Sequence, residues 1–177
     1  MAITEEEFRH LLSRFASGVC VVTSRSCDGT FYGITVSAFS SVSLSPPLIL
    51  ICIEKTTASH DVLLNSGSFV VNLLAENQVH LSEHFAQPSG DKFDGIDFEL
   101  NGSGLPELKN ALGTLSCRMV HQFSAGDHTI FVGQVDNGFA EDSLPLIYFR
   151  GQYRKLSPQD QPAAEPENTI DFQPSLD

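Results

Sequence analysis

Three clusters of polar residues could carry chemistry. The first is Thr35-Val36-Ser37-Ala38-Phe39-Ser40-Ser41-Val42-Ser43, five hydroxyl residues in nine with small neighbours. Such a run offers hydroxyl and backbone N–H donors to an anionic or polyoxygenated ligand. On an edge strand the same residues could simply face water, and spacing alone favours that. The second is Gly126-Asp127-His128, a hairpin turn ending in an imidazole. A His held over a cleft can donate to a substrate amide or phosphate, although a lone His at a strand start is ordinarily surface. The third is His80-Leu81-Ser82-Glu83-His84, which has the H-x-x-E-H form of an inverted zinc-peptidase motif. Its two His at i, i+4 share a helix face and could hold zinc, with Glu83 as base. No third ligand is evident, and so short a pattern is better read as solvated histidines.

Other chemistries lack their signatures. No G-x-G-x-x-G follows a strand, no G-x-x-x-x-G-K-[ST] occurs, and no G-x-S-x-G elbow is present. Cys20, Cys27, Cys52 and Cys117 are irregularly spaced without a Cys-x-x-Cys pair. Cys20 and Cys52 sit in apolar runs, as small buried hydrophobes do, and all four are expected to be reduced thiols.

The elements that must position these residues read as mostly β. Thr4-Glu5-Glu6-Glu7 is a capping box, and Phe8, Leu11, Leu12 and Phe15 follow at i, i+3, i+4, i+7, so an amphipathic helix opens the fold and Gly18 ends it. Strands are expected over Val19 to Thr23, Phe31 to Val36 after an Asp28-Gly29 turn, and Leu48 to Ile53 after Pro46-Pro47, the last buried on both faces. A helix over Ser59 to Leu64 precedes a strand over Ser68 to Leu73, and Glu76 to Phe85 reads as helix. Residues Gly90 to Gly104 read as polar loop. Two long strands, Ala111–Phe123 and Thr129–Ala140, flank the Ser124-Ala125-Gly126-Asp127 turn, and Leu146–Phe149 and Gln152–Leu156 complete the body. Many strands, few helices and short hairpins point to a mainly β (α+β) fold, a β-barrel with peripheral helices.

With 177 residues, 41% of them hydrophobic, the chain suits one globular domain. Ten basic residues against 22 acidic leave a net charge of −12, which argues against nucleic-acid and anionic-membrane surfaces. No apolar run approaches the ~20 residues of a spanning helix. The acidic amino terminus is unlike a signal peptide, so a soluble cytoplasmic protein is expected. From Ser157 to Asp177 the chain holds four of its nine prolines and five acidic residues, without Gly, Lys or Arg. That stretch is expected to be a disordered acidic tail (157–177) behind a domain of residues 1–156.

Several stretches together resemble the short-chain flavin reductase family, whose fold is the FMN-binding split barrel. They are Phe15-Ala16-Ser17-Gly18-Val19-Cys20-Val21-Val22-Thr23, the run from Gly33 to Pro47, Phe69-Val70-Val71-Asn72-Leu73-Leu74, Phe85-Ala86, Asp91-Lys92-Phe93, and Gly126-Asp127-His128-Thr129-Ile130-Phe131-Val132-Gly133. The long central motif followed by the Gly-Asp-His hairpin is the specific part, and it is similar to reductase components of two-component flavin-dependent monooxygenases. The resemblance implies that Thr35, Val36, Ser37 and Ala38 lie along the isoalloxazine, with Ser40 and Ser41 near the ribityl-phosphate end. It places Ile53, Glu54, Lys55 and Ser59 at the flavin as well. Lys55 then offers a cation for phosphate, and Ser59 stands at an expected helix N-terminus, an anion site. Phe85 matches an aromatic beside the flavin, Lys92 a basic position near phosphate, and His128 a nicotinamide-binding histidine, with Tyr148 in the same region.

The implied activity is hydride transfer from NAD(P)H to FMN or FAD, chemistry that belongs to the two cofactors and asks the protein for stacking and donors rather than an acid–base pair. No catalytic residue or metal ligand is assigned. The absence of a basic cluster near His128 tilts the choice to NADH, with NADPH possible. The resemblance also implies a homodimer and a partner oxygenase that takes the reduced flavin. The competing expectation is a non-catalytic flavin-binding module acting as sensor or electron relay.

Overall fold

The computed structural model describes residues 2–88 and 90–157. Of the expected tail, everything after Ser157 lies outside the described residues. In chain order the elements are α1 (Glu5–Leu12), β1 (Ser17–Gly18), β2 (Cys20–Arg25), β3 (Phe31–Val36), β4 (Phe39–Leu44), β5 (Pro47–Glu54), α2 (Ala58–Ser66), β6 (Ser68–Leu73), α3 (Val79–Ala86), β7 (Phe98–Leu100), β8 (Pro106–Leu108), β9 (Gly113–Ala125), β10 (His128–Ala140), β11 (Ile147–Phe149) and β12 (Gln152–Arg154). None of the described helices is long and apolar enough to cross a membrane.

Seven strands form one antiparallel sheet in the order β3-β2-β6-β9-β10-β5-β4. Its two edge strands, β3 and β4, are joined only by Ser37 and Ala38. Laid flat, the edges of such a sheet would stand roughly 29 Å apart, whereas Val36 to Phe39 can reach no more than about 11 Å. The sheet must therefore curl until its edges meet. Closure is partial: β3 and β4 form no ladder with each other, and the Cys52 N–H donates to the Ala38 carbonyl (3.1 Å) as a continuation of the β4–β5 pairing. The smaller sheets are β1-β11-β12 and the β7-β8 hairpin.

Alternation along β2 divides the core. Cys20 and Val22 point into the barrel with Val36, Ile49, Ile51, Ile53, Phe69, Val71 and Phe131, and Leu63 of α2 joins them there. Val19 and Val21 pack outside with Leu81 and Phe85 of α3, Phe93, Leu108 and Leu146. The strands buried on both faces are thus β2 and β6, not the expected run over Leu48 to Ile53. In β5 only the Ile49, Ile51 and Ile53 side is buried, while Leu48, Leu50 and Cys52 are half-exposed, because α3 covers β2 and β3 instead. Between the layers, buried Asn72 donates to the Val21 carbonyl (3.0 Å) and the Thr23 hydroxyl (3.2 Å), and accepts from the Leu108 N–H (2.8 Å). One amide side chain thereby satisfies three elements.

Local signals explain the helix ends. Thr4 accepts from the Glu7 N–H (3.2 Å) and Glu7 accepts from the Thr4 N–H (2.9 Å), the expected capping box. α1 stops at Leu12 rather than running to Gly18, and the Ser13 hydroxyl donates to the His10 carbonyl (2.7 Å). Its apolar face is uncovered: Phe8, Leu11, Leu12 and Phe15 are 51% to 78% exposed. α3 begins at Val79 rather than Glu76 because Gln78 Oε1 accepts from the Ala75 N–H (3.0 Å), holding that stretch as a turn. The polar segment expected to be loop contains β7, which pairs with β8.

Gly33, in the middle of β3, is required by close approach. A Cβ there would lie 2.5 Å from Phe85 Cε1, and Phe85 is 0% exposed. Gly33→Ala is expected to lower stability by about 1–3 kcal/mol by overpacking, measurable by urea denaturation.

Candidate functional site

An edge strand satisfies only one of its two hydrogen-bonding rows. For β3 the inner row goes to β2, in the register Val21↔Thr35 and Thr23↔Gly33. On the outer edge the Gly33 carbonyl accepts from Lys92 Nζ (3.2 Å) and from the Ser59 hydroxyl (3.3 Å). Thr35 is in phase with Gly33, two residues on, and Ser37 two further on enters the seam. A planar molecule with a polar edge would find a ladder of backbone groups there.

At the Gly33 end this edge borders a cavity of about 490 Å³ whose walls include Tyr32, Gly33, Thr57, Ser59, Gln87 and Lys92. Two sources of positive potential serve it. Lys92 Nζ also donates to the Phe85 carbonyl (2.9 Å), and partial burial pushes its pKa below the ordinary lysine value. The His84 ring Nε2–H donates to the Lys92 carbonyl (2.8 Å), fixing the lysine's backbone. The second source is the N-terminus of α2. Thr57 stands at its N-cap, but its hydroxyl donates to the Glu54 carbonyl (2.9 Å), so no side chain caps the first turn. The His60 N–H donates to the Thr57 carbonyl (3.0 Å), while among the described residues no acceptor takes the Ala58 and Ser59 N–H groups, which can meet an anion.

Beyond the other end of β3, Ser37 lines a second, largely apolar cavity of about 400 Å³ with Phe15, Ser17, Cys20, Phe39 and Leu146 among its walls. Tyr148 on β11 lies in register with Ser17 and packs its ring against Tyr153 (centroids 5.5 Å apart).

The Gly126–Asp127 turn projects beside the end of β5. His128 is in register with Glu54, and the Lys55 N–H donates to the Asp127 carbonyl (2.9 Å). The turn's geometry needs Gly126, whose φ is 59°. Lys55 Nζ donates to the Gly126 carbonyl (2.6 Å) and the Ser124 hydroxyl (2.8 Å), clamping the turn. His128 Nδ1–H donates to Asp127 (2.7 Å), and this bond holds the Asp127 carboxyl below its usual pKa. Its Nε2 is left for an external partner.

The expected site residues therefore divide. Ser59 and Lys92 meet in the polar cavity, Ser37 lines the apolar one, and His128 and Glu54 stand side by side. The Thr35 hydroxyl is committed to the Ser82 carbonyl (2.6 Å), so Thr35 can offer only its backbone. Val36 and Ile53 turn their side chains into the barrel core. Ala38 is exposed at the seam, its carbonyl taken by Cys52. Ser40 and Ser41 are exposed on edge strand β4 and line neither cavity. Two expectations are corrected outright. Lys55 does not line the polar cavity and its Nζ holds the hairpin, so the cation of that cavity is Lys92. Phe85 is buried beneath Gly33 with no surface for a ligand, so it supports β3 from behind.

Gly33, whose carbonyl organises the polar cavity, was not foreseen, because a backbone group on an edge carries no residue-type signal. The zinc-like motif dissolves into separate roles: His80 and Glu83 are exposed, and His84 is committed to Lys92. Among the described residues no three His, Cys, Asp or Glu side chains are grouped to hold a metal. Burial pushes the Cys20 and Cys117 thiols up to about 12, with the Asp136 charge adding to the second, so neither is a nucleophile.

Residues 12–157 match the family model described as flavin reductase like domain. The chain belongs to the flavin reductase-like family. It is 36% identical over 156 residues to the reductase component of a 4-nitrophenol 4-monooxygenase/4-nitrocatechol 2-monooxygenase from Rhodococcus opacus, covering 88% of this chain and 83% of that one. It is also 36% identical to an NADH-dependent flavin reductase from a Rhodococcus species, covering 87% of this chain and 88% of the relative. The NADH:FAD oxidoreductase SgcE6 of Streptomyces globisporus, solved with NAD and FAD fragments, superposes with a TM-score of 0.84 at 32% identity, covering 90% of this chain and 99% of that one. Such likeness to a family of flavin reductases agrees with the split barrel, a curled sheet with an unclosed seam.

Within this flavin reductase-like domain, Lys92 is expected to act on a phosphate. Lys92→Met should weaken FMN binding about tenfold, roughly one charge-assisted hydrogen bond, while leaving riboflavin binding nearly unchanged. Because burial lowers the Lys92 pKa, its charge is present at low pH and lost as pH rises through that depressed value. FMN affinity, read by flavin fluorescence quenching, should fall on the alkaline side before a solvated lysine would deprotonate.

Proposed function

We propose that this protein is an NADH-dependent flavin reductase, which passes a hydride from NADH to FMN or FAD and releases reduced flavin to a partner monooxygenase. One observation carries the reading: the free outer edge of β3 runs into a cavity that holds a lysine and an uncapped helix N-terminus. A flavin nucleotide needs that combination, a line of backbone donors and acceptors for its ring and positive potential for its phosphate.

The bound cofactors supply the hydride chemistry themselves. The chain's part is to hold and orient. Gly33, Thr35 and Ser37 present backbone along the seam, and Lys92, Ser59 and the first turn of α2 hold the phosphate end. Asp127 fixes the His128 ring through Nδ1, which leaves Nε2 to hydrogen-bond the carboxamide of nicotinamide. The groups beside His128 are acidic or committed, Glu54, Asp127 and the clamped Lys55, which favours NADH over a cofactor with a 2′-phosphate. No step here requires an acid–base pair from the protein.

The working form is a homodimer. The exposed apolar face of α1 supports this, because Phe15 at its end also lines the apolar cavity beside Ser37, and a second copy laid there would cover both. The working compartment is the cytoplasm, in keeping with the four free thiols of the described residues. Residues 1–156 form the functional domain, and residues 157–177 form an appended acidic tail.

The test is NADH consumption, followed by absorbance, with and without added FMN or FAD. Rapid flavin-dependent oxidation is the expected result. Flavin bound without oxidation would instead mean a non-catalytic binding module. His128→Ala should raise the KM for NADH about tenfold, with little effect on flavin affinity, since it removes a nicotinamide contact and none to flavin.

A further inference from the structure

Among the described histidines, His60 alone is buried, and none of the roles above uses it. It is the third residue of α2, directly after Ser59, and its N–H donates to the Thr57 carbonyl (3.0 Å). Its ring reaches across to β10. Nε2 lies 2.9 Å from the hydroxyl of Thr129, which is itself buried, and the ring meets Phe131 edge-on at 5.8 Å. Nδ1 lies 3.2 Å from Asp61 Oδ1. With Nδ1–H donating to that carboxylate, Nε2 accepts the Thr129 hydroxyl proton.

These contacts join two halves of the site. On the α2 side, the Ser59 hydroxyl bonds the Gly33 carbonyl on the flavin edge. On the β10 side, Thr129 follows His128, so its backbone sets where the imidazole begins. The Lys55 clamp holds the turn's tip, whereas the bond to His60 holds the base of the strand from inside the barrel.

We propose that His60 is a positioning residue that, through Thr129, couples occupation of the polar cavity by a flavin phosphate to the placement of His128 for the nicotinamide. The proposal rests on the flavin reductase reading and adds to it a route between the two substrates. When a phosphate settles on the first turn of α2, that turn is held against Gly33. The hydrogen bond between Thr129 and His60 then restrains the start of β10, so the nicotinamide meets an already ordered His128. Flavin and NAD(H) should therefore bind with positive coupling, each improving the other's affinity by the same factor. In a packed interior a buried bond between rigid elements can carry such coupling, whereas a solvated one would yield to water.

Thr129→Val tests this, because it removes the hydroxyl at nearly constant shape. Affinity for NAD⁺ is measured with and without FMN, and steady-state constants are measured in parallel. In the unmodified protein FMN should tighten NAD⁺ binding severalfold, and Thr129→Val should cut that factor to the part that direct stacking of the two rings supplies. The KM for NADH should rise about fivefold in the variant, with kcat and FMN affinity altered by less than about twofold. Thr129→Ser, which keeps the hydroxyl, should restore both coupling and KM, and so should His60→Gln, whose amide can reach the same oxygen.

Unchanged coupling in Thr129→Val overturns the proposal. So does a loss of FMN affinity that matches the loss for NADH, which would mark a general loosening. A Thr129→Ser variant as impaired as Thr129→Val also overturns it. His128→Ala separates the two levels of the argument. A raised KM there, but not in Thr129→Val, overturns the coupling alone. An unchanged KM in His128→Ala overturns the nicotinamide seat, and the coupling with it.

Discussion

The site depends on the outer row of hydrogen-bonding groups along β3, which the sheet leaves unpaired. In most sheets such an edge is a liability that must be hidden or blunted. Here the two-residue link between β3 and β4 forces the sheet to curl, which brings the open edge to a protected seam instead of the periphery. Gly33 lets Phe85 press against the back of the strand, so the edge is held rigidly while its front stays open. Side chains from α2 and from the segment after α3 then reach the same carbonyl, and the polar cavity exists because both arrive there.

Most polar groups around the seam are already paired within the protein. Lys55 is spent on the hairpin, the Thr35 hydroxyl on α3, and His84 on the Lys92 backbone. What stays available is therefore a small and selective set: the edge backbone, the Lys92 ammonium, the first turn of α2 and one nitrogen of His128. Lys92 keeps bonds to two carbonyls and still sits partly desolvated, so an incoming phosphate would find a cation whose charge has little competing solvent. Such a site holds and aligns its ligands without acting on them chemically. The buried, protonated Cys20 and Cys117 thiols fit that picture, since neither can intervene.

Much of this was readable from residue patterns. The capping box of α1, the strands β3 and β6, the Gly-Asp-His turn and Ser59 at a helix start all follow from local chemistry. The errors share one cause. Lys55 and Phe85 were placed by resemblance of position, but their roles depend on partners far away in the chain, Gly126 for one and Gly33 for the other. For the serines around Ser40, spacing alone favours an edge strand facing water, and β4 is such an exposed edge. The β7-β8 hairpin was hidden by polar, glycine-rich composition.

The division follows from range. Periods of two and 3.6, caps and turn residues act over a few neighbours, so sequence alone could establish that this chain is a barrel of strands with short helices and a hairpin histidine. Long-range closure decided the rest: which lysine faces the cavity, that the Thr35 hydroxyl is committed to α3, and that His60 reaches β10. These depend on where the curled sheet places residues tens of positions apart. A hydrogen bond forms only within about 3 Å, so small differences in that placement settle whether a side chain serves the fold or the ligand.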